Sequence, residues 1–460
     1  MLNRKLFQTG AALLLVFSIT ACEDMFIFDT ISSPSSSNQD STTEFTSDTS
    51  NPDTSSSSEE DPLAWMENVN NTLFIALYNY YGQDQQHFTY RWLGMLDALN
   101  EYGIEVEGHK AEKDARNFKI DMTNSKLPAD AEIYMVNNQT WDPGLQFTRP
   151  LTKKKPIAVI STCNGVEFAS AQIKANSPST QNATMGGFST QYQQAFEDGS
   201  LNYLISKYSC HIAPIFAAGV NAVRGNPLRT ENNEALRLSI KQWEVKSLED
   251  YYNFSSVDRI TDDEIGPTIR KSNIDKFFEA GGEFNNAKAL ETWCSEELTF
   301  EAIQDLFEEN KGMTEQVDTG RKVKVGILRP GSVNDSVAAY INYMKGYLGR
   351  IYNCEFVVDE DITSSNDQKK AAISLCNKGA ELIISVQDDT NRNAAIIEAN
   401  SRGVYFANAG TCQNPKDYAE VKDLPYFVGS IGTSIDEERR STYEMTKYYL
   451  ELMCQRGVKQ

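Results

Sequence analysis

The run Val323–Leu328 (VKVGIL) is short, apolar, rich in β-branched residues and uncharged after Lys324. A run of that kind predicts a strand buried on both faces, as in a parallel sheet. Gly331, Ser332 and Asn334 then predict a loop, and Val337–Ile351 has apolar residues at helical spacing. A buried parallel strand cannot stand alone, because its neighbours must be further strands reached through crossover connections. Ligands of open α/β sheets sit at the carboxyl ends of such strands.

The chain supplies those neighbours twice. Leu73–Tyr78 predicts a strand, and Phe88–Tyr102 a helix with Trp92, Leu93, Leu96 and Leu99 as its apolar stripe and Gly103 as its stop. Ile104–Val106, Glu132–Val136 and Pro156–Ile160 predict further strands. After Val323–Leu328 come a strand at Phe356–Val358, a helix at Asp367–Lys378 and a strand at Glu381–Val386. A helix at Ala394–Ala399 and a strand at Val404–Ala407 follow. Ala76 and Val325, Glu132 and Glu381, and Thr162 and Thr411 are each 249 positions apart, which predicts two lobes of one topology in register. The expected fold class is α/β, with two doubly wound parallel-sheet lobes. Between them, Phe196–Leu204 and Ile212–Val223 predict helices and Leu236–Val245 a strand. Asp262–Gly312 predicts a helical appendage, broken at Gly281-Gly282.

The N-terminus predicts an address. Arg4 and Lys5 precede an apolar stretch, Gly10–Ile19, too short to span a bilayer of about 30 Å. Ile19-Thr20-Ala21-Cys22 then resembles a bacterial lipobox, which implies lipidation of Cys22 and a membrane anchor; an ordinary signal peptide with an incidental cysteine is the other reading. Thr30–Asp61, rich in Ser, Thr, Asp and Pro, has little to bury and predicts a disordered tether. The net charge of −21 over 460 residues leaves no basic stripe, which argues against nucleic acid as a partner. With no CxxC pair and only His87, His109 and His211, a metal site is not expected. GxSxG, HExxH, GxxxxGK[ST] and GxGxxG are all absent, so the expectation is a non-enzyme without a cofactor.

The loop after Val323–Leu328, the helix Asp367–Lys378 with GAELIIS behind it, and ANSRGVYFANAG resemble the N-terminal lobe of type I periplasmic binding proteins, most of all their sugar-binding branch. Gly403-Val404-Tyr405 departs from that pattern by lacking a proline. YFVGSIGTSIDEERRSTYEMTKYYL (Tyr426–Leu450) resembles the segment that crosses to the second lobe. Arg91-Trp92-Leu93-Gly94, AFEDGSLNYL and IAPIFAAGVNAVRG resemble parts of the C-terminal lobe. The lobes therefore stand in reversed order, which implies a circular permutation; a truncated or misjoined reading frame is the alternative. The expected organisation is a signal peptide at 1–22, a tether at 23–68, a C-terminal-type lobe at 69–256, a helical bridge at 257–320, and an N-terminal-type lobe with the crossover helix at 321–460.

The strand ends carry polar and aromatic residues suited to a small polar ligand. Candidates on one lobe are Asn334, Asp388, Asp389 and Thr411; on the other they are Tyr78, Tyr80, Arg91, Asn138, Trp141 and Asn164. Arg91 has a second reading as a structural ion pair, Asp388-Asp389 as a helix cap, and Asn138 as a turn residue. The resemblance implies a solute receptor outside the cytoplasm that binds a sugar and delivers it to the permease of an ABC importer. Alternatives are a sensory receptor of the same fold signalling to a membrane kinase or chemoreceptor, and a nucleoside-binding lipoprotein.

Overall fold

A computed structural model describes residues 63–78, 86–107, 118–138, 151–162, 165–257, 267–278, 286–329, 335–358, 368–386 and 392–459. The strands, in chain order, are β1 (Asn70–Tyr78), β2 (Glu105–Glu107), β3 (Lys119–Asp121), β4 (Glu132–Asn138), β5 (Pro156–Ser161), β6 (Gln181–Gly186) and β7 (Tyr203–Ser206). They continue with β8 (Leu236–Ser239), β9 (Trp243–Val245), β10 (Val323–Leu328), β11 (Cys354–Val358), β12 (Leu382–Ser385), β13 (Tyr405–Asn408) and β14 (Phe427–Gly432). One sheet has the order β4-β1-β5-β6-β7-β9 and the other β11-β10-β12-β13-β14-β8. Every neighbouring pair in both is parallel except β7 with β9. The order doubles back at β1 in the first sheet and at β10 in the second, so each is doubly wound.

Helices of the first lobe are α1 (Gln86–Glu101), α2 (Ala171–Asn176, entered through the π turn Val166–Ser170) and α3 (Thr190–Glu197). Then come α4 (Ala213–Val223), α5 (Leu248–Val257), α6 (Lys271–Asp275), α7 (Ala287–Thr292, running into the π turn Trp293–Glu297) and α8 (Phe300–Asn310). The second lobe holds α9 (Asp335–Tyr343, continued through Met344–Ile351), α10 (Gln368–Asn377), α11 (Arg392–Ser401) and α12 (Pro415–Val421); α13 (Ile435–Lys459) ends the described chain. The first sheet buries Leu73, Ile75 and Ile160 against Trp92, Met95 and Leu99 of α1 and Met445, Tyr449 and Met453 of α13. The second buries Leu328, Ile383 and Phe406 against Ala371, Leu375, Ile396 and Val421 on one face. Its other face, with Val325 and Ile384, joins a larger core that includes Phe216 of α4 and Tyr343 of α9.

Among the described residues the chain makes three short crossings between the lobes. After β7 it enters α4, which packs on β12, β13 and β14 of the other sheet. After β8 it passes directly into β9. After β14 it enters α13, which packs on α1, β1 and β5 of the first sheet. Each crossing leaves from the carboxyl end of a parallel strand. The carboxyl ends of both sheets are therefore turned toward one seam.

Several sequence expectations need correction. Leu236–Val245 is not one strand: it splits, with β8 in the second sheet and β9 in the first. The split has a local cause. The Ile240 amide donates to the Gly432 carbonyl (3.0 Å) as the last rung of the β14–β8 ladder, and the Gln242 amide then turns to the Glu437 carboxylate (2.7 Å), which ends the ladder before β9 begins. Phe196–Leu204 is not a helix: α3 stops at Glu197, Gly199 follows at φ 74°, and Tyr203 opens β7. Ile104–Val106 lies next to and within β2, which pairs antiparallel with β3 in a ribbon outside both main sheets. The offset of 249 matches the lobes only at β1 and β10. By sheet position β4 corresponds to β11 and β5 to β12, so Glu132 with Glu381 and Thr162 with Thr411 are not equivalent pairs. The repeated topology stands on the strand order, not on that spacing. β6 (QNATMG) escaped notice because its buried side chains include Asn182 and Thr184, and polar residues in a core give no apolar signal.

Candidate functional site

The seam is furnished from the residues that end the parallel strands. Tyr78 and Asn138 are the last residues of β1 and β4 and stand opposite each other in register; their side chains lie outside the description. Tyr80, Trp141, Asn164, Asn334, Asp388, Asp389 and Cys22 lie outside the described residues altogether. Arg91 and Thr411 are described fully, and they sit on different lobes.

Arg91 projects from α1 to the carboxyl end of β5, where its Nη1 donates to the Thr162 carbonyl (2.8 Å). The Thr162 amide in turn donates to the Ala76 carbonyl of β1 (3.2 Å), so the guanidinium stands at the point where the first sheet doubles back. Its Nε and Nη2 meet Glu438 of α13 at 2.7 and 3.3 Å, a two-pronged pair that planar guanidinium and carboxylate groups favour. The Thr433 hydroxyl donates to the same carboxylate at 2.9 Å. Burial works to raise the Glu438 pKa; Arg91 first, then His87 and Lys207, outweigh it and hold the carboxyl below the ordinary glutamate range. Arg91 thus binds the first turn of the crossing helix to the floor of the seam.

Thr411 follows β13. Its hydroxyl accepts from Arg392 at the start of α11 (3.1 Å), and its carbonyl accepts from the Asn408 amide group (2.9 Å). Gln413 extends the same loop: its backbone amide donates to Ser430 (3.0 Å) and its side chain to Asn393 (2.8 Å). Burial pushes the neighbouring Cys412 thiol up to about 11, which removes it as a thiolate nucleophile. Of the described cysteines, Cys210, Cys294 and Cys412 are buried.

The lobes touch across the seam through Lys207. It follows β7 on the first lobe, and its ammonium donates to the Gly410 carbonyl behind β13 on the second (3.1 Å). Nearby His211, fully buried, faces the Tyr208 and Ala409 carbonyls with its two ring nitrogens. A second polar cluster joins two crossings. Glu437 of α13 receives the Gln242 amide and the Arg440 guanidinium (2.8 Å), while Ser441 donates to the Gln242 side chain (2.6 Å). Sequence reasoning missed Glu437, Glu438 and Lys207. The acidic pair was visible, but acids in the first turn of a helix have a routine role opposite the helix dipole and give no sign of a buried partner. Among the described residues no group of His, Cys, Asp and Glu could hold a metal ion. An open depression of about 410 Å³ lined by Lys271, Asp275 and Glu315–Thr319 lies on α6, not at the strand ends.

No protein-family model matches the chain, and no curated protein matches it. Solved structures give loose likenesses. An ABC sugar transporter subunit from Rhodobacter sphaeroides 2.4.1 has a TM-score of 0.42 at 9% identity, covering 83% of this chain and 92% of its own. A periplasmic solute binding protein of an ABC transporter from Actinobacillus succinogenes 130z, solved with bound D-allose, also has a TM-score of 0.42 at 9% identity, covering 84% and 92%. The transcription regulator CcpA of Lactococcus lactis has a TM-score of 0.38 at 9% identity, covering 85% and 92%. Likenesses this loose carry no argument about ligand or partner. The two-lobed α/β architecture rests on the strand order and crossings of the chain itself.

Proposed function

We propose that this chain is a lipid-anchored solute receptor outside the cytoplasm, which captures a sugar or sugar-like polyol between two lobes and delivers it to an importer permease. The observation that carries the reading is the shared seam: three crossings turn the carboxyl ends of two doubly wound sheets toward each other. Ligands bind at such strand ends, beside the point where the order doubles back. The lobes are taken as 69–256 and 321–460, bridged by 257–320, with α4 and β8 crossing into the second lobe and α13 into the first. Their order is a circular permutation of the usual one. It is supported by the way the end of α13 meets the start of the first lobe: Arg456 donates to the Met66 carbonyl (2.8 Å) and Asn71 to the Met453 carbonyl (3.4 Å). Two segments of the fold that meet in this way can be joined in the other order, as such a rearrangement requires.

The ligand class follows from surface chemistry. A pyranose has an apolar C–H face and a rim of hydroxyls. It needs an aromatic plane and several donors and acceptors placed around it. Trp141, Tyr78 and Tyr80 are the proposed aromatic planes. Asn138, Asn164, Asn334, Asp388, Asp389 and Thr411 are the proposed rim partners, and Arg91 lies at the floor of the same seam. Trp141→Ala and Asn334→Ala sit on different lobes. Asn334→Ala is expected to weaken binding of the sugar by about 1–3 kcal/mol, the cost of a buried polar group left unpaired, and Trp141→Ala to weaken binding of the same sugar through the lost aromatic face. Calorimetric titration checks this. Unchanged affinity in both variants would remove the strand-end seam as the site.

A further inference from the structure

The helices between β9 and β10 do more than fill the chain between the lobes. On the first lobe, α5 packs against α3 and β9. The Tyr251 hydroxyl donates to the Ser189 carbonyl (2.8 Å), and its ring lies 5.2 Å from that of Phe196. On the second lobe, α6 packs on α4, and α7 with its π turn packs on β8. There the Tyr343 hydroxyl donates to the Ile269 carbonyl (2.8 Å), the Lys271 amide donates to the Tyr347 hydroxyl (3.2 Å), and Lys241 donates to the Glu296 carbonyl (3.1 Å).

The two attachments are joined to each other. Phe300 of α8 stacks on Phe254 of α5, with centroids 3.6 Å apart and planes 7° from parallel. Trp243 of β9 closes on both rings, at 4.9 Å from Phe254 and 5.4 Å from Phe300. At its other end α8 is tied to the segment entering α6: Asn310 donates to the Thr268 carbonyl (2.6 Å) and Arg270 to the Asn310 carbonyl (2.9 Å). A path of buried contacts therefore runs from lobe to lobe beside the crossings, through α5, α8 and α6. Phe254, Ile274, Leu290 and Ile303 on that path are all buried.

We propose that α5, α6, α7 and α8 form a strap that holds the lobes at one narrow range of opening, so that the width of the cleft is set before ligand arrives. Three short crossings alone would leave a hinge, since a few residues can absorb a domain rotation. The strap adds a second attachment. Any large rotation must part Phe254 from Phe300 or slide α7 over β8. Close-packed interfaces resist continuous deformation and yield only by adopting a different packing.

The test measures the distance between the lobes by pulsed electron resonance in the full chain. Nitroxides are carried on keto-bearing residues introduced at exposed Lys153 and Asn377, which leaves the native cysteines alone. With the strap intact, one narrow distance population is expected. Phe300→Ala should broaden it and add a component longer by more than about 2 Å, the scale that separates rigid partners from rearranging ones. Should Phe300→Ala fail to fold, Phe300→Leu, which keeps bulk but loses the stacked face, is held to the same criterion. Two populations in the unaltered protein would overturn the proposal. So would a distribution unchanged in a strap variant that still melts cooperatively. The measurement needs no ligand, so its failure would leave the receptor reading as it stands.

Discussion

Arg91 and Glu438 are the residues on which the floor of the seam depends. Their side chains are 12% and 2% exposed, so the pair is close to fully desolvated and either partner alone would be left as a buried charge. Glu438→Gln is expected to destabilise the protein by about 3 kcal/mol; denaturant unfolding measures this, and a loss indistinguishable from zero would mean that water reaches Arg91. The pH dependence has a definite sign. The folded pKa of Glu438 lies below its unfolded value, so the pair adds stability above the unfolded pKa and loses it as pH falls through the folded one. The melting midpoint should therefore drop below about pH 4.3, the ordinary glutamate value, and drop less steeply in Glu438→Gln. An equal slope in both proteins would contradict the assignment. Gly94 sets a packing limit on the same two helices. A Cβ there would overlap the Arg439 carbonyl and the Thr442 hydroxyl of α13. Gly94→Ala should thus cost about 1–3 kcal/mol by overpacking, read from the same unfolding curves; a neutral result would mean that α1 and α13 can move apart. The sequence pattern located Arg91 on its helix, but its partner lies 347 positions away. Nothing in the local sequence around either residue pairs them.

At the scale of elements, the runs that were legible are those whose apolar residues all face a core, such as Val323–Leu328, Pro156–Ile160 and Leu382–Ser385. β10, β5 and β12 bury nearly every residue, and each was found within a position or two of its bounds. The hinge strands β8 and β9 were read as one element. Leu236, Leu238, Trp243 and Val245 are all buried, but the buried positions change from even to odd between the strands, as they must when the two serve different sheets. The Gln242 amide, turned to the Glu437 carboxylate, marks the break, and that is a tertiary contact. Trp243 tests how far β9 anchors its surroundings. It stacks on Tyr208 with centroids 4.3 Å apart and touches Phe254 and Phe300. Trp243→Ala should cost about 3–5 kcal/mol. Trp243→Phe should cost clearly less, because the buried indole nitrogen has no hydrogen-bond partner to lose among the described residues. Equal losses would show that the indole nitrogen does have a partner.

For the whole molecule, the account joins an address to a cleft. Cys22→Ala is expected to release the protein from the membrane fraction or leave its precursor unprocessed; unchanged retention and processing would remove the lipid anchor from the account. The repeated strand–helix order made the two lobes legible, and the way they face each other was not. That depends on which end of each sheet the crossings leave from, which the strand order reveals and the local pattern does not. The central claim is that this seam binds a small polyhydroxyl ligand. It is tested most directly by the thermal midpoint of the full chain against separate panels of sugars, nucleosides and amino acids. A ligand that binds only the folded state, present at about 100 times its Kd, adds about 2.7 kcal/mol. For lobes of this size that is a rise of several degrees. The account predicts such a rise with at least one sugar or polyol and none with the other panels. No rise with any sugar, alongside a clear rise with a nucleoside or an amino acid, would contradict it.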